Sequence, residues 1–212
     1  LCQNFIMEPE NAAVISEVAR EANGIKGSEA FMPADMKDAP EIVIPAEYAA
    51  KGTFNVGPPE AIEIYTTGIA RHPKSAKIYR HRGHQYIGIR EFEKAIADLE
   101  FAAELIAGTQ DEIEPDGMPN ARTIPTSTLH SNIWYHLGLA LYLTGDFERA
   151  AGAYRSCMKV SKNPDMQVAT SNWLYMTFRR LGREADAASV LEPIHADMDI
   201  IENGSYHQLL LM

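Results

Sequence analysis

Apolar residues recur at spacings of three and four through the second half of the chain, and the pattern repeats. In the most regular copy, residues 134–164, an apolar stripe carries Gly138 in its middle, turns at 145–146, and continues as a second stripe with Ala150 and Tyr154. Such spacing predicts amphipathic helices, and the Gly-Asp turn predicts a break between two of them. We therefore expect a pair of antiparallel helices here.

Two further stretches show the same order of residues. An earlier one has Gly83 in its first stripe and Ala95 in its second, and a later one turns at Gly182 and carries Ala187 in its second stripe. Small residues at such positions allow two helices to approach closely. The sequence therefore predicts three helix pairs that follow one another along the chain.

One more helix is predicted before the three pairs. The double proline at 58–59 marks its start, and its apolar face includes Ala61 and Tyr65. These two positions lie 34 residues before Ala95 and Leu99. The pattern predicts the second helix of a pair whose first helix has decayed.

An insertion separates the first pair from the second. Gly83 and Gly138 are 55 residues apart, which is 21 more than the 34-residue spacing. The extra residues fall in 108–128, a segment rich in proline and acidic residues that we expect to be an exposed loop. Its acidic residues lack the alternating oxygen ligands of a calcium loop, so we interpret them as solvated. They are Asp111, Glu112, Glu114 and Asp116.

The two ends of the chain differ from the repeats, which we assign to residues 58–196. Residues 1–57 predict a helix over 10–21 and then an irregular arm with many glycines and prolines. Residues 197–212 predict a C-terminal helix that caps the repeats or takes part in assembly. The chain begins with Leu1, which favours removal of a signal segment and hence an exported protein, periplasmic or extracellular, with a cytoplasmic location left open.

Charge and motifs argue against several functions. The net charge of −10 argues against general affinity for nucleic acid or anionic membranes, and no apolar run is long enough to cross a bilayer. We find no nucleophile elbow, phosphate loop or dinucleotide motif, so we expect neither an enzyme nor a cofactor. His81, His84 and His136 lack the further ligands of a zinc or copper site, so no metal is expected.

These motifs, over about residues 58–194, resemble the tetratricopeptide repeat family. The resemblance implies an all-α, right-handed solenoid of helix pairs, with the first helix of each pair lining a concave surface. Tyr175 and Ser171 depart from the family pattern in the third copy. Cys157 occupies a position where a helix pair has a small residue against the neighbouring helix, which predicts a buried, unreactive thiol.

The resemblance also implies which side chains line the concave surface. They form a polar, basic and aromatic strip within an acidic protein, suited to binding an acidic peptide or a C-terminal carboxylate. The alternative is an ordinary solvated helix face. The predicted strip consists of Lys77, Arg80, His84, Asn132, Tyr135, Tyr142, Asn172, Met176, Arg179 and Arg180.

A non-catalytic role in protein–protein interaction follows, in one of two forms. We favour a self-assembling structural subunit, forming a ring or filament through the solenoid ends and the N-terminal arm, because solenoid ends present apolar surfaces. The alternative is a monomeric adaptor that binds a peptide in the groove; a third possibility is a domain serving a complex encoded elsewhere. The residues assigned to assembly are Cys2, Ile42, Val43, Ile44, Leu209, Leu210 and Leu211.

Overall fold

The computed structural model describes residues 30–31, 55–114 and 120–212. Two strands of two residues, Ala30–Phe31 (β1) and Asn55–Val56 (β2), pair antiparallel with Ala30 opposite Val56. The rest of the regular structure in those ranges is helical, which confirms the predicted all-α fold class. The helices are Pro58–Arg71 (α1), Ala76–Gly88 (α2), Phe92–Leu105 (α3), Leu129–Thr144 (α4), Phe147–Val160 (α5), Pro164–Arg180 (α6), Glu184–Leu191 (α7) and Gly204–Leu210 (α8).

Local sequence explains where the helices of the second pair begin and end. α4 starts with a capping box, in which the Thr128 side chain accepts from the Ser131 amide while Ser131 Oγ accepts from the Thr128 amide. Gly145 ends α4 with φ 84°, a left-handed conformation that glycine adopts without steric cost. Asp146 then caps α5 by accepting from the Arg149 amide. The turn between the paired helices is therefore only two residues long.

The helices pack in the order of the chain. α2 packs on α3, α4 on α5, and α6 on α7, and each pair also packs on the next one. Among the first helices, α2 contacts α4 and α4 contacts α6, so the three form a layer of their own. The predicted stack of three helix pairs is confirmed. α1 packs on α2, as expected for the second helix of a preceding pair.

Two glycines explain how closely the paired helices approach. A Cβ on Gly83 would lie 2.7 Å from Leu99 Cγ, and one on Gly138 would lie 2.6 Å from the Tyr154 ring. In both pairs the large residue comes 16 positions after the glycine and is fully buried. The third pair has Tyr175 in place of the glycine, and its second helix, α7, is only eight residues long.

Some sequence expectations need correction, and others fall outside the described residues. The inserted segment is not simply an exposed loop, because Glu114 within it is 3% exposed. Cys157 is buried as predicted. The helix expected over 10–21, the apolar run 42–44 and Cys2 lie outside the residues that the structure describes. No described helix combines the length and apolarity that a membrane span requires.

The C-terminal helix does not continue the stack. α8 packs on α6, the first helix of the last pair. Leu210 is buried there within its own chain, whereas Leu209, Leu211 and Met212 are exposed. The end of the chain thus turns back toward the first-helix layer.

Candidate binding surface on the inner face

Arg80, Tyr135 and Asn172 of the predicted strip occupy equivalent repeat positions of α2, α4 and α6. We call the side of the layer that carries these three residues the inner face. Lys77, Arg80 and Asn132 lie in the first two turns of α2 and α4, at the amino end of the inner face. The structure brings these three side chains together around acidic residues of the inserted segment.

Glu114 enters the inner face from the inserted segment. Its Oε2 lies 2.9 Å from Arg80 Nη2 and also accepts a hydrogen bond from the Asn132 amide group. Nearby, Lys77 Nζ lies 3.3 Å from Glu112 Oε2, in a more exposed ion pair. Lys77 and Arg80, two cations of the predicted strip, are thus paired with carboxylates of the same chain.

His81 closes a ring of contacts around Glu114. Arg80 Nη1 lies 2.9 Å from His81 Nδ1, and a guanidinium can only donate, so Nδ1 must be the acceptor. This leaves the imidazole proton on Nε2, which lies 3.1 Å from Glu114 Oε1. The ring stacks on Tyr65 of α1 at 5.8 Å, which fixes its orientation. His81 thus contacts both the cation and the carboxylate.

The electrostatics of this cluster stabilise the ionised carboxylate. Burial alone would raise the pKa of Glu114, but the Arg80 guanidinium and the contacts from His81 and Asn132 hold that pKa well below its usual range. Such a pair is costly to break, because removal of one partner leaves the other charge buried and unpaired. The Glu114 cluster is therefore a buried ion cluster at the amino end of the inner face.

The base of the inserted segment is tied to the start of α4. Ile113 and Thr128 form an antiparallel bridge, and the Leu129 amide donates to the Glu112 carbonyl at 2.9 Å. The Asp111 carboxylate accepts from the His130 amide at 3.0 Å. These bonds fix the backbone that leads into Glu114, so its side chain is held at one place on the inner face.

Two histidines lie beside the Glu114 cluster. The rings of His84 and His136 are 4.5 Å apart, and His136 Nδ1 donates to the Asn132 carbonyl at 2.7 Å. The protein atoms around them lower the pKa of both, and the positive Arg80 lowers both further, although His84 is an exposed residue. Both are therefore neutral at pH 7. In the described ranges no three His, Cys, Asp or Glu side chains are grouped to hold a metal.

The remaining residues of the predicted strip do not join this cluster. Arg179 lies in the last turn of α6, about 22 Å along the helix from its start at a rise of 1.5 Å per residue. It pairs with Glu184 of α7 and donates to the Tyr175 hydroxyl. Arg180 lies over the Phe147 ring of α5. Tyr142 and Asn172 are buried in the layer, and Met176 is half-buried at the edge of the core.

The C-terminal segment covers the part of the inner face next to α6. Buried Asp165, in the first turn of α6, accepts hydrogen bonds from three successive backbone amides, those of 201, 202 and 203, at 2.7–3.1 Å. From α8, Tyr206 reaches toward α4. Burial raises the pKa of Tyr135, and the proximity of Tyr206 raises it further. Two segments of the chain thus occupy the inner face.

Sequence reasoning missed three of these residues as site residues. Glu114 was assigned to a solvated loop, because acidic residues among prolines are usually exposed. Asp165 follows Pro164 at a helix start, where an acidic residue is already explained by the helix dipole. Tyr206 stands in a short helix with no repeat partner. Only the long-range contacts of these residues distinguish them, and no local pattern carries that information.

Comparisons with known proteins find similarity among solved structures. No protein-family model and no curated protein matches the chain. Among solved structures, the thermophilic TPR protein TTC0263 of Thermus thermophilus is 19% identical over 71% of this chain and 72% of that chain, with a TM-score of 0.45. The helix pairs and their packing, rather than this likeness, carry the assignment of the fold.

Proposed function

We propose that the protein is a non-catalytic helical-repeat scaffold that binds other polypeptides on its inner face. One observation carries the proposal: this face already holds polypeptide, through ion pairs to Glu112 and Glu114 at its amino end and through Asp165 near α6. Cations and amides that hold acidic residues of the chain itself have the chemistry to hold those of a partner. An acidic peptide is the class of ligand that the amino end fits once Glu112 and Glu114 are displaced from it.

The test empties the amino end without removing its cations. In the full chain, Glu112→Ala with Glu114→Gln removes the carboxylates that pair with Lys77 and Arg80 while keeping the shape of the buried side chain. The probe is a fluorescein-labelled peptide with the sequence of residues 109–116. We expect fluorescence anisotropy to show at least tenfold tighter binding to this variant than to the unaltered chain.

Two controls make the outcome decisive. A peptide with its acidic residues replaced by lysine should not bind, and adding Arg80→Met to the emptied variant should abolish binding of the acidic peptide. If the emptied variant keeps its helical circular dichroism and still binds no better than the unaltered chain, the amino end is a structural ion cluster and the proposal fails there.

Self-assembly is the second candidate, and a separate observation favours it. Leu209 and Leu211 are 54% and 44% exposed and Met212 is fully exposed, so the last turn of the described chain presents an apolar edge. We expect mass to rise with protein concentration in light scattering, and Leu209→Glu with Leu211→Glu to prevent the rise. Ile89→Glu, at a similarly exposed residue of the first pair, is the matched control. A mass that stays monomeric at high concentration would exclude this function.

A further inference from the structure

We propose that the C-terminal segment, residues 195–210, is a detachable ligand bound in cis, and that the surface beneath it binds a short helix of the same chemistry from a partner. This rests on the proposed function of the inner face as a surface for polypeptides. The ligand class is a segment with three successive free backbone N–H groups, followed by a helix that carries an aromatic residue and a leucine on one face.

The segment is separate from the core that holds the helix pairs together. Within the described residues the main apolar core runs from Ala95 in α3 to Val190 in α7, and no residue of α8 belongs to it. α8 packs chiefly on α6, and the contacts that join α1 to α7 do not pass through it. A seven-residue helix has little stability of its own. The segment can therefore leave without breaking the stack.

Backbone groups supply the main polar attachment. The Asp165 carboxylate is fully buried and accepts from the amides of 201, 202 and 203, and the Asn203 side chain donates to the Asp165 carbonyl at 3.2 Å. Every residue except proline has a backbone N–H group. Asp165 can therefore bind a turn or the start of a helix whatever side chains that segment carries. When the segment leaves, water replaces these donors, so detachment does not leave a buried charge unpaired.

The side chains of α8 add apolar and aromatic contacts to this attachment. Leu210 is buried and Tyr206 lies near Tyr135 and Tyr154, while His207 Nε2 contacts the His195 carbonyl at 2.9 Å within the segment. The neighbouring Leu209 points to solvent. One face of α8 therefore carries an aromatic residue and a leucine four positions apart, which is the spacing of one helical turn. The surface beneath α8 is suited to a helix with the same two residues.

The inserted segment contributes two outer contacts. Arg122 donates twice to Asp199, at 2.7 and 3.0 Å, and the Thr126 hydroxyl donates to Glu202 at 2.8 Å. The charged pair is exposed, so it is weak and screened by salt. These contacts guide the segment onto the inner face rather than hold it there.

Hydrogen exchange on the full chain tests detachment. We expect the amides of 201–203 and of α8 to exchange as one unit, at least 100-fold faster than those of α4 and α5. Asp165→Asn should speed exchange in that unit alone. Exchange of these amides only together with the core would overturn the proposal.

A peptide added in trans tests the surface beneath the segment. The probe is a labelled peptide of residues 195–212, and the receptor is the full chain with Leu210→Asp, which weakens attachment of its own segment. We expect at least tenfold tighter binding than to the unaltered chain, whose own segment competes at high effective concentration. Leu209→Asp, one residue away and exposed, should bind as weakly as the unaltered chain.

The outcomes separate this proposal from the proposed function. Equal binding by the Leu210→Asp and Leu209→Asp chains, or binding that survives Asp165→Asn, would overturn the ligand role of the segment. Because the acidic-peptide test concerns Lys77 and Arg80 alone, it can succeed when this one fails. If both fail, the inner face is closed by its own chain and the proposed function falls with it.

Discussion

Two buried carboxylates divide the inner face, and they are held in opposite ways. Glu114 arrives from the inserted segment and is held by side chains of the helices, Arg80, His81 and Asn132. Asp165 belongs to a helix of the layer and holds an arriving segment by its backbone amides. One site depends on a particular set of charges. The other depends on a turn that many sequences can form.

The two sites therefore differ in how easily they open. A buried ion pair is strongly coupled, so neither partner leaves without stranding the other charge. A carboxylate that accepts from amides can exchange them for water at modest cost, because each net hydrogen bond is worth about 1 kcal/mol. The Glu114 cluster therefore resists opening, and the Asp165 site opens locally.

The largest expected effect comes from breaking the ion pair at the amino end. Arg80→Ala should lower the free energy of unfolding by about 3–5 kcal/mol, because Glu114 is left buried and unpaired. Urea denaturation followed by circular dichroism measures it. Arg149→Ala, which removes exposed pairs to Glu100 and Asp146, should cost less than about 1 kcal/mol. Equal losses would remove the contrast between buried and exposed pairs.

A change of pH should weaken the same cluster by a smaller amount. The folded-state pKa of Glu114 is lowered, so its ionisation stabilises the fold above the unfolded-state pKa, and this contribution is lost as pH falls below about 5. The stability difference between the unaltered chain and Glu114→Gln should therefore shrink between pH 7 and pH 3. A difference that widens on acidification would contradict the assigned charge state.

Asp165→Asn should act locally. The free energy of opening of residues 199–210 should fall by about 1–3 kcal/mol, because an amide is a weaker acceptor for three backbone donors than a carboxylate. The urea midpoint of the whole chain should change little. Hydrogen exchange resolved by segment measures both quantities, and a loss spread evenly over all helices would argue against separate stabilities for the two sites.

The smallest effect is expected from Arg122→Ala. This removes the exposed pair with Asp199, which salt already screens. Thermal unfolding should show no measurable change in Tm, and the same exchange experiment should show only slightly faster exchange of residues 199–203. A change as large as that of Asp165→Asn would move the main attachment of the segment from the backbone amides to the outer contacts.

Most of the fold was predictable because its determinants are local and periodic. Gly83 and Gly138 face Leu99 and Tyr154 as the repeat spacing indicated, and Ala61 and Tyr65 are buried in α1 as the 34-residue spacing indicated. The cap of α4 is equally local, because Thr128 and Ser131 form it within the first turn of the helix.

The predicted strip was less predictable than the helices that carry it. Lys77, Arg80 and Asn132 meet around acidic residues of the inserted segment, but Arg179 and Arg180 lie at the far end of α6 and make contacts elsewhere. The strip was predicted from the side of each first helix, and residues on one side can lie several turns apart along it. The acidic insertion, whose path no repeat governs, determined which of the cations became paired.

The sequence by itself determined the stacked helix pairs, because periodic apolar residues and well-placed glycines act within and between neighbouring helices. Only the tertiary structure decided what the inner face holds. Glu114 lies 34 residues from Arg80, and the amides that Asp165 binds are 36 to 38 residues away along the chain. Contacts over such separations depend on how loops close in space, and a local pattern of residue types does not encode that path.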